Sequence, residues 1–246
     1  MAQSNEHQPL IHQIWFSLTG DPDRLPLASQ RILDDVGDAR YRLWTLDSAR
    51  QFLADEFDAS VTIAFDRLRP LAYKADLFRC CVVLRLGGFY LDLSVTKLNL
   101  PEVGIYDFVG FRDPNGEFTS WKVANNYFFA RAGSPILEDT IMQILGNCER
   151  EYYGRDPHFP TGPSVLGRSV AKLAPELEVL IGQYFWLRRR PNKYVLPGFG
   201  VVGRGKVGGK QLGGVSNIPG GNNYNELWRA RDVYQKGSAL EGSDPE

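Results

Sequence analysis

The 246-residue sequence predicts an α/β protein with a mixed, mostly parallel sheet and helices on both faces. Three observations carry that expectation. Short apolar strand-like runs alternate with helical segments along the chain. The stretch from Leu71 to Val95 reads as helix, Gly87-Gly88 stop and strand. The length suits one α/β domain with a sizeable core. The expected organisation is a single domain over residues 1–236 and a polar, disordered tail over 237–246.

Taken in order, Leu10 to Phe16 reads as a buried strand, and Gly20, Pro22 and Pro26 punctuate the loop after it. Leu27 to Val36 suits a helix ending near Gly37. Tyr41 to Thr45 alternates as a strand does. Ser48 to Phe57 fits a helix capped by Asp47 or Ser48. Leu71 to Leu86 is the clearest helix, with Leu71, Ala75, Phe78, Val82 and Leu86 on one apolar stripe. From Phe89 to Val95 the pattern alternates. Tyr90, Asp92 and Ser94 then share one strand face near a carboxyl end, where open α/β sheets bind ligands.

Asp107 to Phe111 and Asn126 to Ala130 suggest further strands, and Pro135 to Cys148 and Thr161 to Leu173 suggest helices. Val179 to Arg188 suits a strand or a short helix, and Tyr224 to Tyr234 a last helix. The stretch from Pro197 to Gly221 is glycine-rich and reads as a loop.

Composition excludes several classes. The net charge of −1 gives no reason to expect a nucleic-acid partner. No apolar run reaches the roughly 20 residues of a membrane span, which leaves peripheral membrane association open. The start, Met-Ala-Gln-Ser-Asn-Glu-His-Gln, has no signal-peptide core. Cys80, Cys81 and Cys148 lack metal-site spacing and read as free thiols, so a cytoplasmic location is expected. Charge is unevenly placed. Val179 to Asn225 holds seven Lys and Arg but no Asp or Glu. Arg204, Lys206 and Lys210, set among glycines, are candidates for an anion-binding loop.

Three polar features carry chemistry. Asp76 and Arg79 stand three apart, on one helical face. They read either as a helix-anchoring ion pair or as a pair aimed into a cleft to bind sugar hydroxyls and phosphate. Asp92 interrupts an apolar strand, where a carboxylate must be exposed, bonded or coordinated. Trp15 closes the first strand, either as core or as a platform for a base or sugar. His12, His158 and His7 are isolated, and core or surface roles suit them better than metal ligation.

The run Lys74-Ala75-Asp76-Leu77-Phe78-Arg79, followed by Gly87-Gly88-Phe89-Tyr90-Leu91-Asp92-Leu93, resembles the core signature of glycosyltransferase family 32. These are DXD sugar transferases related to fungal mannosyltransferases and, distantly, to the clostridial glucosylating toxins. Ile11 to Trp15, Tyr41 to Thr45, Asn125 to Phe129 and Thr161-Gly162-Pro163 agree in order, so the resemblance spans roughly residues 10 to 170.

The resemblance implies a GT-A fold. It also implies retaining transfer of a hexose from a UDP- or GDP-sugar to a glycan or lipid-linked saccharide. By it, Asp76, Arg79 and Asp92 are the catalytic set. Trp15 stacks near the base, and Lys74, Gly87, Gly88, Tyr90 and Ser94 join in donor binding. Asp92 would meet ribose or a divalent metal, Mn²⁺ or Mg²⁺. The sequence departs from the family at Ser94, where the second, metal-binding Asp normally stands. Two ways of balancing the diphosphate charge follow: metal held through Asp92 alone, or cations from Arg204, Lys206 and Lys210. Asn222, Asn223 and Tyr224 are placed to close over donor or acceptor. A nucleotide-sugar binder that has lost catalysis is the alternative reading.

Overall fold

A computed structural model describes residues 9–37, 40–95, 97–99, 101–114, 120–207 and 222–235. The expected tail over 237–246 lies outside them. Among the described residues, nine strands form one sheet in the order β2-β1-β3-β6-β5-β7-β8-β9-β4. The strands are β1 (Ile11–Trp15), β2 (Tyr41–Thr45), β3 (Gly88–Leu91), β4 (Lys97–Leu98), β5 (Phe108–Arg112), β6 (Val123–Ala130), β7 (Val179–Phe185), β8 (Pro191–Leu196) and β9 (Gly200–Val207). The helices are α1 (Leu27–Val36), α2 (Leu46–Glu56), α3 (Ala59–Arg67), α4 (Leu71–Leu86), α5 (Pro135–Glu149), α6 (Pro163–Leu173) and α7 (Tyr224–Arg229).

The mixed sheet matches the expectation, but its pairings are not mostly parallel. β1 runs parallel to β2 and β3, and β5 to β7, while the other five pairings are antiparallel. The cause lies in the connections: β7, β8 and β9 follow one another through short turns, which permit only antiparallel neighbours.

Strand alternation sends residues to two cores. Ile14, Tyr90 and Phe128 join the core under α2 to α6. Ile11, Phe89, Leu91 and Phe129 join a second core with Ile32 and Val36 of α1. Helices thus cover both faces, as expected.

Helix α4 departs from its expected single stripe. It is buried almost all round, from Ala75 through Val83, and Leu86 of the stripe is exposed. A helix apolar on every side belongs inside a layer, and α4 packs on β1, β3 and β6 with α2, α3, α5 and α7 around it. Helix α2 starts at Leu46, earlier than expected: Thr45 is its cap and forms a reciprocal capping box with Ser48.

The glycine-rich stretch is partly strand, since Gly200–Val207 forms β9. Gly203 packs there on the Tyr127 and Tyr194 rings, where a Cβ would approach within 2.8 Å.

Candidate active site

Strand β3 ends at Leu91, and a turn follows in which the Val95 amide donates to the Asp92 carbonyl at 2.9 Å. Asp92 and Ser94 therefore reach the cleft from a turn rather than from a continuing strand face. The cleft encloses about 400 Å³. Asp76, Arg79, Asp92, Ser94, Asp113 and Asn126 line it, with Tyr184, Trp186, His158 and Tyr224 around them.

Its floor is a buried polar network. Asp76 Oδ1 accepts from Asn125 Nδ2 at 2.8 Å and lies 3.1 Å from the Arg79 guanidinium. Asp76 Oδ2 accepts from the Thr161 hydroxyl at 2.8 Å. Arg79 donates to the Ala75 and Asn125 carbonyls at 3.0 and 2.6 Å, and sits 3.4 Å from Asp92 Oδ1. Its guanidinium also covers the Tyr90 ring, 4.5 Å from the centroid. The Tyr90 hydroxyl donates to Asp92 Oδ1 at 2.6 Å. Asp76, Arg79, Tyr90 and Asp92 thus form one connected unit.

Burial shapes its electrostatics. Desolvation pushes the Asp76 carboxyl up, opposed by Arg79 and the Thr161 hydrogen bond. Burial alone would lower Arg79, but Tyr90, Asp92 and Asp76 outweigh it and hold the guanidinium charged. Burial raises the Tyr90 hydroxyl well above its usual range, so it remains a donor.

Four expected donor contacts lie elsewhere. Lys74 donates to the Phe65 and Asp66 carbonyls and covers the Phe65 ring, tying α3 to α4 outside the cleft. Gly87 and Gly88 stand at the opposite end of β3 from Asp92. Their close approach is to backbone, not ligand: a Cβ on Gly88 would come within 2.3 Å of the Leu10 carbonyl oxygen, and one on Gly87 within 2.9 Å of the Ala132 nitrogen. Positive φ values of +106° and +66° add a second reason for glycine at both positions. Trp15 lines a separate concavity of about 590 Å³ beside Arg24, Pro26 and Gln30, at the start of α1. Of the basic candidates, Arg204 is exposed on β9 and does not line the cleft. The side chain of Lys206 and the whole of Lys210 lie outside the described residues.

His12 behaves as the core residue expected of it. Its Nε2 lies 3.0 Å from the Gly87 carbonyl, and Trp44 Nε1 donates to its Nδ1 at 3.3 Å, which assigns the Nε2-H tautomer. His158, by contrast, lies at the cleft, 3.4 Å from Asp156, which accepts from the buried Lys122 ammonium at 2.7 Å. Sequence reading also missed Asp113, which closes β5, and the aromatic wall of Tyr184 and Trp186. No local motif marks these residues; the β5 and β7 pairing alone brings them together.

Three oxygen-bearing side chains on the cleft could meet a cation: the Asp92 carboxylate, the Ser94 hydroxyl and the Asn126 amide, whose oxygen is buried without a hydrogen-bond partner. Oxygen sets of this kind suit Mg²⁺ or Mn²⁺. Asp92 Oδ1 is already engaged, and the described residues hold no cluster of three or more His, Cys, Asp or Glu. The residues fit a hard cation held mainly by its ligand's phosphates, with Asp92 Oδ2 and Ser94 as the protein's share.

Residues 22–105 match the family described as the glycosyltransferase sugar-binding region containing DXD motif. That match spans about a third of the chain and takes in α4, β3 and the Asp92 turn. The chain is similar to inositol phosphoceramide mannosyltransferase 3 of Schizosaccharomyces pombe, 28% identical over 67% of this chain and 45% of that protein. It is also similar to an uncharacterized glycosyltransferase, L373, of Acanthamoeba polyphaga mimivirus, 30% identical over 51% of this chain and 49% of that one. The chain spans about half the length of these curated relatives. A solved structure titled PaToxG Glycosyltransferase aligns with a TM-score of 0.43 and 14% identity over 68% of this chain and 70% of its own.

Proposed function

We propose that the protein is a retaining, GT-A-type hexosyltransferase, acting within one domain over residues 1–236. It moves a hexose from a UDP- or GDP-sugar to a glycan or lipid-linked saccharide. The observation that carries this reading is the buried Asp76-Arg79-Asp92-Tyr90 unit on the floor of an open cleft.

A carboxylate has about four acceptor sites. Asp76 uses three on Asn125, Arg79 and Thr161, which leaves one on Oδ2 for a sugar hydroxyl. Arg79, held charged, places fixed positive potential beneath the bond that breaks, where the leaving diphosphate gathers charge. Asp92 and Ser94 orient the diphosphate end. A divalent cation, when bound there, supplies further charge neutralisation. Acceptor deprotonation falls to the leaving phosphate oxygen on the same face of the sugar, so configuration is retained and no protein nucleophile is required. Tyr184, Trp186 and Tyr224 give the acceptor ring flat apolar walls. A cytoplasmic location and a role in polysaccharide synthesis belong to the same proposal.

Ser94 favours one second reading, a nucleotide-sugar binder without turnover. Donor hydrolysis and transfer, measured with UDP- and GDP-sugars in Mn²⁺ and in EDTA, separate the two. Turnover that Asp92→Ala abolishes supports the transferase. Donor binding without turnover across an acceptor panel supports the binder. Ser94→Asp restores a second carboxylate and is expected to raise Mn²⁺ affinity roughly tenfold. Equal Mn²⁺ affinity in both proteins would remove the cation from the mouth of the cleft.

A further inference from the structure

Strands β7 and β8 meet in a tip over residues 186–190. Phe185 and Trp186 are 45% and 53% exposed. Arg188, Arg189 and Arg190 follow directly and are exposed. None of the three forms an ion pair with a described residue. Acidic residues are absent from Val179 to Asn225, so no near neighbour in sequence offsets them.

The tip is nevertheless built firmly. Asn192, fully buried, accepts from the Leu187 amide at 2.9 Å and donates to the Tyr184 hydroxyl at 2.8 Å. The Tyr184 and Tyr194 rings stack below it at 4.6 Å. A firm support that presents three adjacent cations and Phe185 outward, next to the cleft residue Trp186, offers them to a partner outside the fold. We propose that this tip docks the protein on an anionic lipid surface, with Phe185 and Trp186 at the headgroup boundary and the arginines on lipid phosphates.

The chemistry favours lipid over nucleic acid. Adjacent exposed aromatics belong at a membrane interface, and the cations match anionic headgroups. The net charge of −1 gives no general attraction to a nucleic-acid backbone. Trp186 also lines the cleft, so docking holds the cleft mouth at headgroup level.

The inference goes beyond the transfer reading and is tested without turnover, by co-sedimentation of the full chain with vesicles. Binding to phosphatidylcholine mixed with phosphatidylglycerol is expected, with weak binding to phosphatidylcholine alone. Each arginine contributes roughly fivefold at an anionic surface, so R188S/R189S/R190S should lose about a hundredfold and most of its salt dependence. Trp186→Ser should weaken binding while keeping the salt dependence. Unchanged melting temperatures show that both variants are folded. Equal binding to the two vesicle types, or full binding by the triple variant, overturns the proposal. So does wild-type protein that ignores both vesicles yet retains a duplex RNA.

Discussion

Asp76 lies at the cleft and is also a buried node of the fold. Its carboxylate is nearly sealed, yet three donors from α4, β6 and the loop before α6 converge on it. Asp76→Ala leaves Arg79 short of a partner in a desolvated site, and breaking a buried pair in this way costs about 3–5 kcal/mol. Urea unfolding should show that loss. Arg79→Lys keeps the charge but cannot bridge Asp76, Asp92 and the Asn125 carbonyl together, so donor affinity should fall in calorimetric titration. His12 makes a separate prediction through pH. Burial, aided by Arg42 and opposed by the Gly87 carbonyl, lowers its pKa from 6.5 to about 4. The unfolded chain therefore binds a proton that the folded one refuses between those values. Stability is complete above pH 6.5 and falls as pH drops towards 4, by about 3 kcal/mol in all. His12→Gln should flatten that slope in urea titrations at pH 7 and pH 5. Asp76, Arg79 and Asp92 were legible because their spacing lies within one helix and one turn. Asn125 and Thr161 were legible only as pieces of a family pattern, 49 and 85 residues from the carboxylate they serve.

Among elements, α4 matched its expected bounds at both ends, whereas β3 matched at the boundary it shares with α4 but not at its far end. The Gly87-Gly88 stop was readable because positive φ values require glycine there. Its purpose was not, because the atoms it admits, Leu10 and Ala132, lie far away in sequence. Gly88→Ala should cost about 3 kcal/mol, since strain and backbone overlap act together. Gly104→Ala, with nothing within 4 Å, is the matched control in the same thermal melts. The end of β3 at Leu91 could not be read from alternation, because the turn over Asp92 to Val95 keeps the same apolar rhythm. Helix α3 went unread because Asp58 and Pro70 bracket a stretch without a strong stripe. The β8 strand was hidden by its opening proline and by three preceding arginines. Proline is tolerated there as a first strand residue.

Across the whole molecule, the segment from Asn222 to Gln235 fastens the parts together. Asn222 accepts from the Leu71 amide and donates to the Arg69 carbonyl, capping the start of α4 from far along the chain. The Arg69 amide donates to the Val233 carbonyl, the Gln235 amide donates to the Arg67 carbonyl, and Trp228 donates to the Tyr153 carbonyl. Asn222→Ala should lower stability by about 1 kcal/mol, as loss of a helix cap does. Ending the chain after residue 221 should lower the melting temperature and weaken acceptor binding, because Tyr224 leaves the cleft wall with it. The mixed α/β layering was legible in the alternation of elements. The antiparallel half of the sheet was not, since strand direction follows from turns that composition marks only as loop.

The fastening segment also sets an order in time. Asp76 and Arg79 are synthesised in the first third of the chain, but the helix that carries them gains its cap only when residue 222 has emerged. A ribosome-bound chain therefore holds these two cleft residues long before it holds the segment that caps their helix.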